Sequence, residues 1–233
     1  MKMDSMLTKK IRGEEIMKTI RVTGKANLRV VPEQTKVNLT VRGFAMKYSE
    51  ALEQSVRDMK VIKDTLESCG IDREALKTED FYTSEKTKQV KDQYGNTSYR
   101  HIGYDVTHRF NFRFDNDNKL LGKVLYELSR LSINPRIDVT YVLKDSEKYK
   151  DELITLAVKD ALRKAKVMAS AGEVELGDIK NMDYSYHTIS WESRQYISME
   201  CDIKYNAAAT FDIDMNPEDA SLSDTVTIEW EIK

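Results

Sequence analysis

Three histidines, His101, His108 and His187, are the side chains of this 233-residue sequence best suited to proton transfer or metal ligation. Their spacing assembles no known ligand set. There is no HxH, no HExxH and no Cys/His pair at zinc-site spacing. His108 falls within the apolar alternation of a strand, the position of a buried, hydrogen-bonded core histidine. His101 and His187 lie near strand ends and meet only if folding brings them together. The run Asp115-Asn116-Asp117-Asn118 offers oxygen ligands of the kind a calcium loop uses. An EF-hand also needs glycine at the sixth position and an acidic residue at the twelfth. Counted from Asp115, those positions hold Leu120 and Tyr126. An Asp or Asn capping a helix N-terminus accounts for the run instead.

Nucleophiles fare no better. No GxSxG elbow occurs, and Gly24, Gly43 and Gly95 form no phosphate-binding loop. The acidic pairs Glu14-Glu15 and Glu173 with Glu175 sit in a tail and a turn, without the buried surroundings that split two carboxyl pKa values. Cys69 has no base near it in sequence. The expectation is therefore a protein without catalytic residues, cofactor or metal site, and not an enzyme. Two groups remain as candidate contacts. Arg109 and Arg113 share the polar face of one strand, where they can meet an anion or a partner carboxylate, or lie on a solvated face. Tyr186, Trp191 and Tyr196, with Tyr184 nearby, are candidate interface anchors in an irregular polar segment. The other reading is that they cover the end of the core.

Composition sets the frame around these residues. Hydrophobic residues make up 40% and charged residues 33%, enough for a core and too apolar for a disordered chain. The formal net charge is −2 and the isoelectric point about 6.0, without the basic surplus that phosphate neutralisation demands of a nucleic-acid binder. The charge is uneven: Lys9, Lys10, Arg12, Lys18, Arg21, Lys25 and Arg29 near the start, against Asp212, Asp214, Glu218, Asp219, Asp224, Glu229 and Glu231 near the end. Such ends can meet within a subunit or head to tail between subunits, or be solvated faces. The two cysteines, Cys69 and Cys201, imply no disulfide framework. Residues 1–17 form a polar tail without the apolar core of a secretion signal, and no segment is apolar enough to span a bilayer. The expectation is a cytoplasmic protein with no membrane insertion and no nucleic-acid partner.

Periodicity then places the elements. Residues 19–24 and 36–43 alternate as strands and are expected to pair with each other, with Pro32 marking the turn between them. Residues 48–69 carry a helical stripe, Ala51, Ser55, Met59, Ile62, Leu66 and Cys69, ended by Gly70. A strand over 76–86, a turn at Gln93-Tyr94-Gly95-Asn96 and a returning strand make a long hairpin. The returning strand sets Tyr104, Val106, His108, Phe110, Phe112 and Phe114 against Asp105, Thr107, Arg109, Asn111 and Arg113. A face so apolar should cover a helical layer. A second helix follows and is expected to stop at Asn134-Pro135. After it come a strand over 137–143, an alanine-striped helix over 147–172 stopped by Gly172, and a strand over 178–187. Residues 190–223 are irregular, with one strand suggested near 207–213, and a closing strand runs over 226–232. Mixed helices and hairpins of this order predict an α+β fold, antiparallel sheet covered on one face by helices. The organisation expected is a tail over 1–17 and an α+β domain over 18–233, with room for two packed submodules.

These segments resemble the SIMPL-domain family. Ile20-Arg21-Val22-Thr23-Gly24, Val31-Pro32-Glu33 and Val37-Asn38-Leu39-Thr40-Val41 are similar to its first hairpin. Gly70-Ile71 with Leu76-Lys77-Thr78-Glu79-Asp80-Phe81 resembles the segment after its first helix, and Gly103-Tyr104 opens a strand in the same manner. The most specific likeness is Ala157-Val158-Lys159-Asp160-Ala161 through Lys164-Ala165 to Ala171-Gly172, followed by Leu176-Gly177. The resemblance covers residues 18–233. It implies an α+β fold, often self-assembling, in bacterial proteins without an assigned biochemical role, many of them in the cell envelope. With no catalytic constellation, the expected function is a non-enzymatic, self-assembling scaffold or binding protein, a homo-oligomer. The alternative is a small-molecule or peptide binding module linked to stress protection.

Overall fold

The structure, a computed structural model, describes residues 18–91, 94, 96–185 and 215–233, and the backbone of residues 192–195. The contacts divide the chain into two units, each drawn from more than one stretch of sequence. The larger holds a five-stranded sheet in the order β3-β4-β2-β5-β7. Its strands are β2 (Gln34–Ala45), β3 (Lys77–Lys91), β4 (Thr97–Asp115), β5 (Arg136–Val142) and β7 (Glu192–Gln195). The helices α1 (Tyr48–Cys69) and α2 (Asn118–Ser129) belong to the same unit. Its neighbouring strands pair antiparallel throughout. With the helices, this makes the α+β architecture that the alternation predicted.

Pairing builds the core directly. Val37 lies between Phe112 and Val139, and Leu39 between Phe110 and Ile137. Those rows form one apolar surface, because alternate residues of a strand face the same way. Ile62, Leu66 and Cys69 of α1, with Leu121, Val124, Leu125 and Leu128 of α2, pack on it. The end of α1 is closed by Gly70 at φ 97°, with its N–H donating to Glu67 O at 2.9 Å. The Ile71 N–H donates to Leu66 O at 3.0 Å, and the Ile71 side chain joins the core. From α2, the Lys123 ammonium donates to the Ser68 and Cys69 carbonyls, a cation at the negative end of the α1 dipole.

The smaller unit contains a three-stranded sheet, β1-β8-β6, built from β1 (Thr19–Val30), β8 (Ala220–Ile232) and β6 (Leu176–Asp183), with the helix α3 (Ser146–Ala171). Leu153, Ala157, Ala161, Ala165 and Ala169 recur every fourth residue and are buried. A side-chain carbon at Gly24 of β1 would lie 1.9 Å from the Ala157 carbonyl oxygen. Strand and helix backbones thus touch there, and only glycine fits. Asp160 fastens the contact: its carboxylate accepts from the Lys25 backbone N–H at 2.9 Å and pairs with Lys164 and Arg163, each at 2.7 Å. Those three donors hold its pKa far below the usual carboxylate range.

Four expectations need correction. β1 and β2 do not pair but enter different sheets, because both edges of β2 are occupied, by β4 and by β5. α2 stops at Ser129 rather than at Asn134-Pro135, and Leu131 reaches the core from the turn that follows. α3 takes its left-handed closing residue at Glu173, φ 53°, rather than at Gly172. β8 begins at Ala220, within the segment read as irregular, since Ala220, Leu222 and the hydrogen-bonded Asp224 all face inward. No helix among the described residues is long and apolar enough to cross a membrane.

Candidate functional site

Two places on the five-stranded sheet carry groups that could act on something else. The first is buried. His108 projects from β4 toward α1, and its Nδ1 lies 3.0 Å from the Ser55 hydroxyl oxygen. Its Nε2 lies 3.3 Å from the Thr78 hydroxyl oxygen of β3. The Phe81 ring meets the imidazole edge-on at 4.9 Å, and the Phe110 ring lies at 3.7 Å. Burial pushes the His108 pKa down, so the neutral ring is favoured. Asp58, one turn along α1 from Ser55, has its carboxyl pKa raised by burial.

A hydroxyl, an imidazole and a carboxyl in one neighbourhood invite comparison with a hydrolytic triad. The geometry does not supply one. In a triad the second ring nitrogen donates to a carboxylate, which orients the ring and stabilises the imidazolium. Here that nitrogen meets the Thr78 hydroxyl. The adjoining cavity, lined in part by Gln54, Ser55, Asp58 and His108, has a volume of about 10 Å³. That is room for one water and none for an acyl substrate. What the arrangement can do is tie α1 to β3 and β4 through a neutral ring. His101, also on β4, lies seven positions away, about 20 Å at the rise of a strand. It faces Glu85 at 4.0 Å. His187 lies outside the described residues. No cluster of potential metal ligands occurs among the described residues.

Three residues of the Asp115–Asn118 run are employed in structure. Asp117 caps α2, accepting from the Lys119 and Leu120 N–H groups at 2.9 and 3.1 Å. Asp115 pairs with Lys144 at 3.0 Å, and Asn116 donates to the Pro32 carbonyl at 2.6 Å. Cys69 is a free thiol, and burial raises its pKa, which suits an inert core residue.

The second place is the outer part of the β3–β4 hairpin. β2 ends at Ala45, opposite Tyr104. Beyond that point, among the described residues, β4 has only β3 beside it, and the register continues from Lys86↔Gly103 to Lys91↔Thr97. A five-stranded sheet thus narrows to a two-stranded arm. Gly103, at φ 148°, marks the exit. A side-chain carbon there would meet the Ala45 carbonyl oxygen at 2.5 Å and the Phe44 ring at 2.7 Å. Outside Gly103, residues 85–91 of β3 and 97–101 of β4 are all exposed. Tyr94 and Tyr99 stand 81% and 73% exposed, so neither is a core residue of this chain.

The two faces of the arm differ. On one, the Tyr104 ring meets Tyr48 at 5.6 Å and His101 at 4.9 Å, both edge-on, and Tyr99 lies further out opposite Gln89. On the other, Lys86 sits 5.2 Å over the Phe44 ring and pairs with Asp105 at 3.1 Å. Next along that face, Lys88 lies directly opposite Arg100, and then Val90 opposite Ser98.

Arg109 and Arg113 do share the polar face of β4, as the alternation predicted. Arg109 is already engaged, 3.3 Å from Asp80 and 5.9 Å from the Tyr82 ring centre. Arg113 is exposed opposite Lys36. Tyr186, Trp191 and Tyr196 lie outside the described residues. Tyr184, grouped with them by sequence, donates its hydroxyl to the buried Asp224 at 2.9 Å in the smaller unit. The arm itself escaped sequence reasoning, although a signal exists. The apolar alternation of β4 stops at Tyr104, and Ser98, Tyr99, Arg100 and His101 continue the strand without an apolar face.

A sequence model of the family described as SIMPL, protein of unknown function (DUF541), matches residues 20–230. No curated protein matches the chain.

Proposed function

The chain belongs to the SIMPL family, and from that premise we propose that it is a non-enzymatic, self-assembling scaffold or binding protein. The observation that carries this reading is the β3–β4 arm. An isolated two-stranded ribbon is marginal in water and gains stability when something covers it. Here its residues are exposed on both faces, and among the described residues no strand pairs with the outer edge of β3. A second protein surface can lie against the exposed tyrosines, or add a strand to that edge. The Ser55–His108–Thr78 arrangement supports the non-enzymatic half of the reading, since the cavity beside His108 has room for one water and no substrate.

The alternative, a small-molecule or peptide binding module linked to stress protection, has less behind it. The cavity beside His108, at about 10 Å³, holds no metabolite. A cytoplasmic setting without a nucleic-acid partner belongs to the same proposal, and the free thiol of Cys69 is compatible with a reducing compartment.

Absolute mass in solution, measured by light scattering behind a sizing column over a wide concentration range, tests the reading. The full chain should give a discrete multimer. A variant in which residues 87–102 are replaced by Asn-Gly, a two-residue hairpin turn, should run as a monomer with an unchanged helix signal. A full chain that stays monomeric at every concentration overturns the proposal.

A further inference from the structure

We infer that the cationic face of the β3–β4 arm receives an acidic segment, the exposed pair Glu218-Asp219, of a second copy of this chain. The inference rests on the self-assembly proposed above and names the groups that would meet.

The arm side of the contact is visible in the charge pattern. At the root of the arm, Lys86 pairs with Asp105 at 3.1 Å, and Arg109 with Asp80 at 3.3 Å. Further out the answers stop. Lys88 and Arg100 are direct cross-strand partners, both exposed, and neither has an ion-pair partner among the described residues. Like charges directly opposite on a ribbon repel. The repulsion falls on a ribbon whose residues 85–91 and 97–101 are all exposed. An external anion removes it, and one carboxylate between two strands can face both cations at once.

The complementary side lies in the same chain. From Tyr205 to Ile232 the sequence contains no Lys or Arg, while Asp212, Asp214, Glu218, Asp219, Asp224, Glu229 and Glu231 all fall within it. Some of these acids are already employed. Asp224 is buried against Tyr184, and Glu231 pairs with Lys180. Glu218 and Asp219 are different. They are adjacent, exposed and without an ion-pair partner among the described residues, in a non-strand stretch just before β8.

The arm and the acidic segment are different surfaces, so their union between copies is head to tail. Such a contact closes into a ring or runs on as a filament, according to its rotation. Both surfaces are exposed, so salt screens their attraction, over about 8 Å at physiological ionic strength.

A charge swap in the full chain tests this. The double variant Lys88→Glu with Arg100→Glu changes only exposed side chains, and its circular dichroism spectrum should match the parent. The inference expects the concentration at half-assembly to rise about tenfold or more in that variant. For the parent, it should rise with added sodium chloride. The variant Glu218→Lys with Asp219→Lys should be equally impaired alone, and a mixture of the two variants should assemble. Four outcomes overturn the inference. The arm variant assembles like the parent; assembly ignores salt; the mixture fails to assemble; or a labelled single-stranded oligonucleotide binds the parent but not the arm variant while mass stays unchanged. The last would make a free polyanion the occupant. The first two, with the parent still multimeric, leave self-assembly standing and remove only the electrostatic contact. A monomeric parent removes the self-assembly itself.

Discussion

In the five-stranded sheet, the surface against α1 and α2 is made of large side chains: Val37, Leu39, Phe110 and Phe112 meet Ile62, Leu66, Leu125 and Leu128. In the three-stranded sheet, β1 meets α3 at one point with no side chain of its own, Gly24 against Ala157 and Ala161. Both units lay a helix on a sheet. One fills the interface with interlocking bulk, and the other brings two backbones into contact and fastens them with Asp160. The first is sensitive to lost volume. The second is sensitive to any volume gained.

The largest expected effect is on the bulky side. Phe110→Ala should cost about 3–5 kcal/mol in a denaturant titration, through lost burial and the cavity left behind. Gly24→Ala should come next, at about 3 kcal/mol, because the added carbon would collide with backbone atoms that cannot turn aside. A cost for Gly24→Ala below that of an ordinary surface change would break the comparison.

Acid sharpens it further, since only the larger unit has a buried imidazole among the described residues. His108 binds protons less readily folded than unfolded. Its contribution is therefore present above the ordinary histidine range of about 6.5 and lost as pH falls through the lowered folded value. The facing groups are Ser55 and Asp58 from α1, Thr78 and Phe81 from β3, and Phe110 from β4. Asp58 acts in the opposite sense at lower pH, because its folded carboxyl takes up protons more readily than the unfolded one. Thermal melts between pH 7 and 5 should show falling stability, and the slope should flatten in His108→Gln.

The smallest effects lie at the two helix ends. Gly70 closes α1 at φ 97°, with open space where a side chain would go, so Gly70→Ala should cost about 1 kcal/mol from backbone strain alone. Glu173 follows α3 at φ 53° and already bears that strain. Glu173→Gly should therefore gain about 1 kcal/mol. Equal signs for the two substitutions, read from melts under one condition, would refute the assignment of the closing residue in α3.

Much of the local structure was legible in the residues. Alternation placed β2, β4 and β8, the stripe from Ala51 to Cys69 placed α1, and the Asp115–Asn118 run marked the start of α2. These signals are local, since a period of two or of 3.6 residues is carried by neighbours in sequence. The candidate site was legible only in part. The hairpin and the shared face of Arg109 and Arg113 followed from alternation, but the engagement of Arg109 by Asp80 did not.

What the sequence determined alone, then, is which segments are strands and helices and which face of each is apolar. The tertiary structure decided the partners. It sent β1 and β2 to different sheets, let β4 outrun β2 to make an arm, and turned Gly24 from an unremarkable strand glycine into the point where a helix touches. Each depends on residues far apart in the chain. A side-chain period states that a strand has two faces, but the neighbour at its edge is set by which edges the rest of the chain leaves free.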